Sequence, residues 1–96
     1  MQFRLSLYIS GETARSLAAI RNVRLIVDTE LPEGYQLECI DVQKDPERAE
    51  RDKIMATPTL VREHPAPKKK IMGEFTNHRA VVLALEIDRL QQETRI

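Results

Sequence analysis

Apolar and polar residues alternate along two separate stretches of this chain. Every second residue from Phe3 to Ile9 is apolar, and the same alternation runs from Tyr35 to Cys39 before an apolar run continues to Val42. A period of two residues is typical of a β-strand that buries one face. The pattern therefore predicts a first and a second strand in these stretches.

Helical spacing appears between and after these strands. Apolar residues recur at intervals of three and four from Leu17 until Pro32, which predicts a long helix beginning near Thr13. Further on, Asp45 can cap a helix whose first turn accommodates Pro46. We expect a short second helix that ends at about Lys53.

Two short strands and a last helix complete the pattern. Apolar runs at residues 59–61 and 69–72 flank a polar connection that contains Pro65 and Pro67, so an antiparallel pair is expected. Beyond Gly73, an apolar stripe extends from Thr76 or Asn77 to Leu90 and predicts one helix of about four turns.

The resulting order is β-α-β-α-β-β-α. A strand, helix, strand unit crosses over right-handed to give a parallel pair, and the hairpin then adds antiparallel strands. This describes an α/β fold with a mixed sheet, the outline of the thioredoxin fold. With 96 residues the chain is expected to form one domain, 1–96, around one modest core.

The charge balance narrows the range of functions. Fifteen basic and 15 acidic residues give a formal net charge of zero, so no overall field favours nucleic acid or an anionic membrane. No stretch approaches the roughly 20 apolar residues of a membrane span, and the N-terminus lacks secretory-signal features. We expect a cytoplasmic protein.

The residues needed for thiol or metal chemistry are missing from the expected places. A redox enzyme on this scaffold needs a thiolate at the start of the first helix, where residues 10–14 read SGETA. The single cysteine, Cys39, is expected to be a structural core residue. Neither His64, in the polar connection, nor His78, opening the last helix, has a ligand partner at metal-binding spacing. No enzyme activity, metal or cofactor is predicted.

Two charged segments allow more than one interpretation. Lys68, Lys69 and Lys70 could form an anion-binding patch, but lysines on a short edge strand commonly prevent aggregation, and we favour that interpretation. Asp52 and Lys53, beside the Thr57–Pro58 bond, could form a contact surface or be ordinary exposed charges. The sequence leaves these two alternatives open.

Several motifs resemble the KaiB family of bacterial circadian clock proteins. They read LSLYISG at residues 5–11, IDV at 40–42, AE at 49–50, DKIMATPTL at 52–60 and IMG at 71–73. The resemblance implies a non-enzymatic regulator that binds KaiC, a hexameric RecA-like ATPase, and a relationship to the sensor domain of a clock-output histidine kinase. It also implies partner contacts through Asp52, Lys53 and Arg62, and a cis peptide bond at Pro58.

The resemblance further implies that the chain could adopt two folds. Members of this family exchange a thioredoxin-like form for a rearranged form, often tetrameric, so a homodimer or homotetramer is an alternative expectation. Ala84 and Glu86 stand where clock members have Gly and Asp, and Ala favours helix over Gly by about 1 kcal/mol. We therefore expect the thioredoxin-like state to be favoured.

A second partner edge is implied around Gln36 and Glu38. In the clock proteins this edge corresponds to a surface used for KaiA, and Ala18 and Glu38 stand where those proteins tend to have basic residues. The reversed charge predicts weak KaiA capture. We expect a KaiB-like protein outside a full KaiA-containing clock, in a KaiC-linked stress or signalling system.

Overall fold

The computed structural model describes the backbone of residues 2–93 and the side chains of residues 2–91. It contains four strands and four helices within that range: β1 (Phe3–Ile9), α1 (Ala14–Glu30), β2 (Tyr35–Asp41), α2 (Pro46–Arg51), β3 (Thr59–His64), β4 (Lys69–Met72), α3 (His78–Ala84) and α4 (Ile87–Glu93). The predicted order is confirmed, except that the last helix is divided in two.

The strands form one mixed sheet in the order β2-β1-β3-β4. β1 and β2 are parallel, with Phe3 opposite Tyr35, whereas β1 pairs with β3 and β3 with β4 in antiparallel fashion. The predicted parallel pair and hairpin are therefore confirmed. β2 and β4 are the two edges of this sheet.

Helices cover the two faces of the sheet unequally. The larger core joins the alternating apolar residues of β1 to the buried sides of α1, α3 and α4, including Val23, Val27 and Ile87. On the other face, α2 covers only a small cluster formed by Tyr8, Ile40 and Val61. Part of this second face therefore has no helix over it.

Side-chain caps start the helices where the sequence predicted them. The Thr13 hydroxyl accepts a hydrogen bond from the Ser16 amide at 3.1 Å, and Asn77 accepts one from the Ala80 amide at 3.0 Å. Asp45 caps α2 in the same way. Each cap satisfies an amide of the first turn that has no partner within the helix.

The last helix differs most from the prediction. Leu85 and Glu86 separate α3 from α4, and Glu86 has a left-handed φ of 56°. The buried face of α3 passes through Val82 toward Leu85, so Leu83, which was expected on the buried stripe, is 59% exposed. Residues 78–84 and 87–93 are nonetheless helical, as in the thioredoxin-like form and not the rearranged alternative.

Two smaller predictions were wrong, one about the burial of a side chain and one about the end of a strand. Leu17 was expected on the buried stripe of α1 but is 54% exposed, because the buried face passes through Ser16, Ala19 and Val23 instead. His64 was expected in the connection but is the last residue of β3. The Thr57–Pro58 peptide bond is cis, as predicted, and so are those before Pro65 and Pro67.

Arg62 is fully buried, although the sequence suggested a surface contact. Its Nε donates to the carbonyl of Pro65 at 3.0 Å, and its two terminal nitrogens donate to the carbonyls of Leu85 and Pro67, each at 2.6 Å. Burial lowers the pKa of the guanidinium, and the nearby Glu86 carboxylate partly offsets this. One side chain thus joins β3, the β3–β4 connection and the α3–α4 junction.

Asp52 is also buried. It follows the last residue of α2, and its side chain points toward the sheet. Its carboxylate accepts hydrogen bonds from the Tyr8 hydroxyl at 2.6 Å and from Lys68 Nζ at 2.8 Å. Burial alone would raise the pKa of Asp52, but hydrogen bonding with the side chains of Glu63, Lys68 and Tyr8, in that order of importance, lowers it to about 2. Asp52 therefore holds α2 against β1 and against the start of β4.

Replacing Arg62 should destabilise the whole domain. We expect Arg62→Met to lower the free energy of unfolding by about 3 kcal/mol, because three main-chain carbonyls lose their donor and two of these hydrogen bonds are buried. Arg62→Lys should recover only part of this, since an ammonium cannot reproduce the planar guanidinium fork. Urea denaturation monitored by circular dichroism measures the effect, with the exposed Arg21→Met as the control. Equal stability of Arg62→Met and the wild type would show that the three hydrogen bonds contribute nothing.

Asp52 should contribute an acid-dependent part of stability. Its pKa is lower in the folded state, so its contribution is present above about pH 4 and is lost as the pH falls toward 2. We expect Asp52→Asn to be less stable than the wild type at pH 6, and the difference to shrink by about 2 kcal/mol at pH 2. Tyr8→Phe, which removes one hydrogen bond, should show a smaller change. A constant difference across this range, in chemical denaturation, would contradict the assignment.

Candidate functional site

An exposed apolar surface lies beside the cis-proline, between the end of α2 and the edge strand β4. We call it the methionine surface, and it is formed by Lys53, Ile54, Met55, Thr59, Lys70 and Met72, around a cavity of about 210 Å³. Met55 is 90% exposed and Met72 is 64% exposed. Large apolar side chains are thus presented to solvent between two lysines.

Main-chain contacts fix the shape of this surface. Lys53 adopts a left-handed φ of 55°, and its carbonyl and that of Asp52 accept hydrogen bonds from Lys70 Nζ at 3.2 and 3.0 Å. The Ile54 amide donates to the Ala49 carbonyl at 2.9 Å, which continues the connection from α2. The segment that carries Met55 is therefore attached both to α2 and to β4.

The lysine run has a structural role in addition to protecting an edge strand. β4 is indeed an edge of the sheet. However, Lys68 binds Asp52 at 2.8 Å and Glu63 at 3.3 Å, and Lys70 binds the main chain of the 52–53 turn. Two of the three lysines are thus committed to contacts within the protein, which the favoured interpretation of a solvated edge did not include.

The structure separates the three residues that the resemblance offered as partner contacts. Lys53 is exposed on the methionine surface, whereas Asp52 and Arg62 are 5% and 0% exposed. The buried pair cannot meet a partner in this conformation, because their polar atoms are bonded inside the domain. Sequence reasoning missed Met55 and Met72. Alternation along β4 would have placed Met72 on the outer face of the strand, since its neighbour Ile71 faces inward.

The predicted second partner edge lies on β2 and is accessible. Gln36 and Glu38 are exposed on this edge strand, and Glu38 forms an ion pair of 2.6 Å with Arg48 of α2. The hydrogen bond from Arg48 holds the pKa of Glu38 below its usual range. Glu38 is therefore anionic at neutral pH, but its charge is partly neutralised by its neighbour.

Two positions matter for redox chemistry: the start of α1 and Cys39. Hydroxyl groups occupy the start of α1, where the Thr13 side chain donates to Ser16 Oγ at 3.0 Å. Cys39 was expected in the core but is exposed, because it lies on an edge strand. Partial desolvation raises the pKa of its thiol, so little reactive thiolate forms at neutral pH.

Residues 2–93 lack the features of a metal site and of a membrane-spanning helix. No group of three or more His, Cys, Asp and Glu side chains there is arranged to hold a metal ion. Within the same residues, no helix combines the length and the apolar character required to cross a membrane.

Solved structures with this architecture include the N-terminal domain of SasA and several thioredoxins. The N-terminal domain of Synechococcus elongatus SasA matches 100% of this chain and 89% of its own length, with a TM-score of 0.76 and 20% identity. Thioredoxin 1 from Thermosipho africanus matches 96% of this chain and 99% of its own, with a TM-score of 0.72 and 15% identity. These matches confirm a thioredoxin-like fold.

Sequence comparison gives a more specific result. The KaiB domain model matches residues 6–87. The circadian clock protein KaiB3 of Synechocystis sp. is 45% identical over 83 residues, which cover 86% of this chain and 81% of that protein. The circadian clock oscillator protein KaiB of Acaryochloris marina is 42% identical over 83 residues, covering 86% and 80%. This chain therefore belongs to the KaiB family.

Proposed function

We propose that this chain is a non-enzymatic regulatory protein that binds a KaiC-type RecA-like ATPase in circadian or stress-linked signalling. Family membership supports a regulatory role, since relatives at 42–45% identity are named as circadian clock proteins. The single structural observation behind the proposal is the methionine surface. It offers exposed apolar side chains at a position where the main chain is firmly held.

The character of this surface suits a protein partner better than a small molecule. Its cavity of about 210 Å³ is smaller than most small-molecule pockets, which span roughly 300–1,000 Å³. Methionine side chains adapt to the shape of a partner and are common at protein interfaces. Lys53 at its rim would act through orientation and association rate.

A catalytic alternative has less support. The thioredoxin-like fold is shared with redox enzymes, but the start of α1 carries Thr13 and Ser16 in place of a thiol. Cys39 lies on β2, and its raised pKa makes it a poor nucleophile. We therefore propose that the fold serves binding here.

The C-terminal helices determine which of the two folds of this chain is present to bind the ATPase. Ala84 ends α3 and Glu86 occupies the helix break, so both fold-switch positions lie beside the carbonyl of Leu85 that Arg62 binds. We propose that this arrangement favours the thioredoxin-like form as the one that binds the ATPase. A rearranged homodimer or homotetramer would be the competing state.

The β2 edge is relevant to whether this chain acts in a clock that also contains KaiA. Glu38 places a negative charge where the clock proteins tend to have a positive one. Its ion pair with Arg48 holds the Glu38 side chain at this edge. We propose that this chain acts without KaiA, in the cytoplasm, and that a histidine kinase with a similar sensor domain competes for the same ATPase.

Reversing the charge at Lys53 should weaken the complex without unfolding the domain. We expect Lys53→Glu to raise the dissociation constant for the host's KaiC-type ATPase about tenfold, because a rim charge would then oppose association. Co-purification under ATP and ADP followed by native mass spectrometry tests the complex, and titration gives the affinity. Thermal unfolding by circular dichroism should remain close to the wild type.

The matched control is Lys44→Glu, the same change on the exposed turn before α2. It should leave the affinity unchanged. Equal binding by Lys53→Glu and the wild type would remove Lys53 from the interface. Failure of the wild-type protein to bind any KaiC-type ATPase of its host would refute the proposed function.

A further inference from the structure

A second cavity lies on the part of the sheet that α2 leaves uncovered. It has a volume of about 520 Å³ and lies over the first halves of β1 and β2, with the buried Ser6 in its lining. Six charged side chains surround it: Arg4, Arg48, Arg51, Lys68, Glu38 and Glu63. We call this cavity the arginine groove. It is distinct from the methionine surface, with which it shares none of its lining residues.

Four basic and two acidic side chains line the arginine groove, and the buried Asp52 also pairs with Lys68 at 2.8 Å, so the local excess is one positive charge. Both lining acids are already paired, Glu38 with Arg48 at 2.6 Å and Glu63 with Lys68 at 3.3 Å. Arg4 and Arg51 form no ion pair with any residue between 2 and 93. The groove therefore presents two guanidinium groups that have no ion-pair partner among residues 2–93, although the charge of Arg51 also contributes to lowering the pKa of Glu38.

Arg48 has one donor that no described residue satisfies. Its Nε is buried and has no hydrogen-bond partner among the described residues, even though its NH1 group binds Glu38. Leaving a buried donor unpaired costs roughly 1–3 kcal/mol. An anion in the groove that drew Arg48 toward it could relieve this cost, which the Glu38 ion pair alone does not do.

We propose that the arginine groove binds a small phosphate-bearing molecule. Its volume lies within the range of small-molecule pockets, and four of its ten lining residues are basic. A guanidinium matches phosphate oxygens through two parallel hydrogen bonds, and Arg4 and Arg51 together would balance a doubly charged phosphate. The phosphate would lie between Arg4 and Arg51, with Arg48 beside it.

Titration of the isotope-labelled full chain with inorganic pyrophosphate tests the proposal. Two-dimensional NMR should show saturable shifts of backbone amides near residues 4–6, 36–38 and 48–51. Arg51→Gln and Arg4→Gln should each weaken binding about tenfold, because each removes charge-assisted hydrogen bonds. Glu38→Gln should tighten binding severalfold, since it removes a carboxylate that competes for Arg48.

Arg21→Gln, on the exposed side of α1, is the matched control and should bind like the wild type. Sodium chloride at equal ionic strength should cause no saturable shifts in the groove. The proposal is overturned if pyrophosphate and chloride give the same response, or if Arg51→Gln binds as tightly as the wild type. Because the ATPase is absent from this experiment, its outcome is independent of the proposed function.

Discussion

The structure depends on one buried guanidinium that is satisfied by main-chain carbonyls. Arg62 projects from the central part of the sheet and binds Pro65, Pro67 and Leu85, which belong to segments that local sequence preferences do not bring together. A buried charge is costly unless every polar atom has a partner. The position of the C-terminal helices is thereby linked to the β3–β4 connection through three hydrogen bonds.

The periodic parts of the fold could be predicted because burial dictates them. β1 alternates strictly, its apolar positions face α1, and Thr13, Asp45 and Asn77 are strong caps. The division of the last helix could not be predicted from periodicity, since Glu86 is an unusual residue in a left-handed conformation. Its position reflects a tertiary contact, the hydrogen bond from Arg62 to Leu85, that no local pattern contains.

Neither charge nor the family resemblance reveals which of the candidate site residues are buried. Asp52 and Arg62 were offered as contacts but lie inside, while Cys39 was expected inside but lies on an edge strand. Lys53 alone of the three proposed contacts is exposed. The methionine surface and the arginine groove both arise because α2 covers only part of one sheet face, a property that depends on how a six-residue helix is placed.

The central claim is that the free chain has the thioredoxin-like arrangement, with the C-terminal segment helical and bound by Arg62. NMR secondary chemical shifts of the free protein, together with nuclear Overhauser contacts from the Arg62 guanidinium, test this most directly. We expect helical shifts for residues 78–84 and 87–93 and contacts between Arg62 and Leu85. Strand shifts across residues 77–90, or an Arg62 side chain exposed to solvent, would contradict this claim.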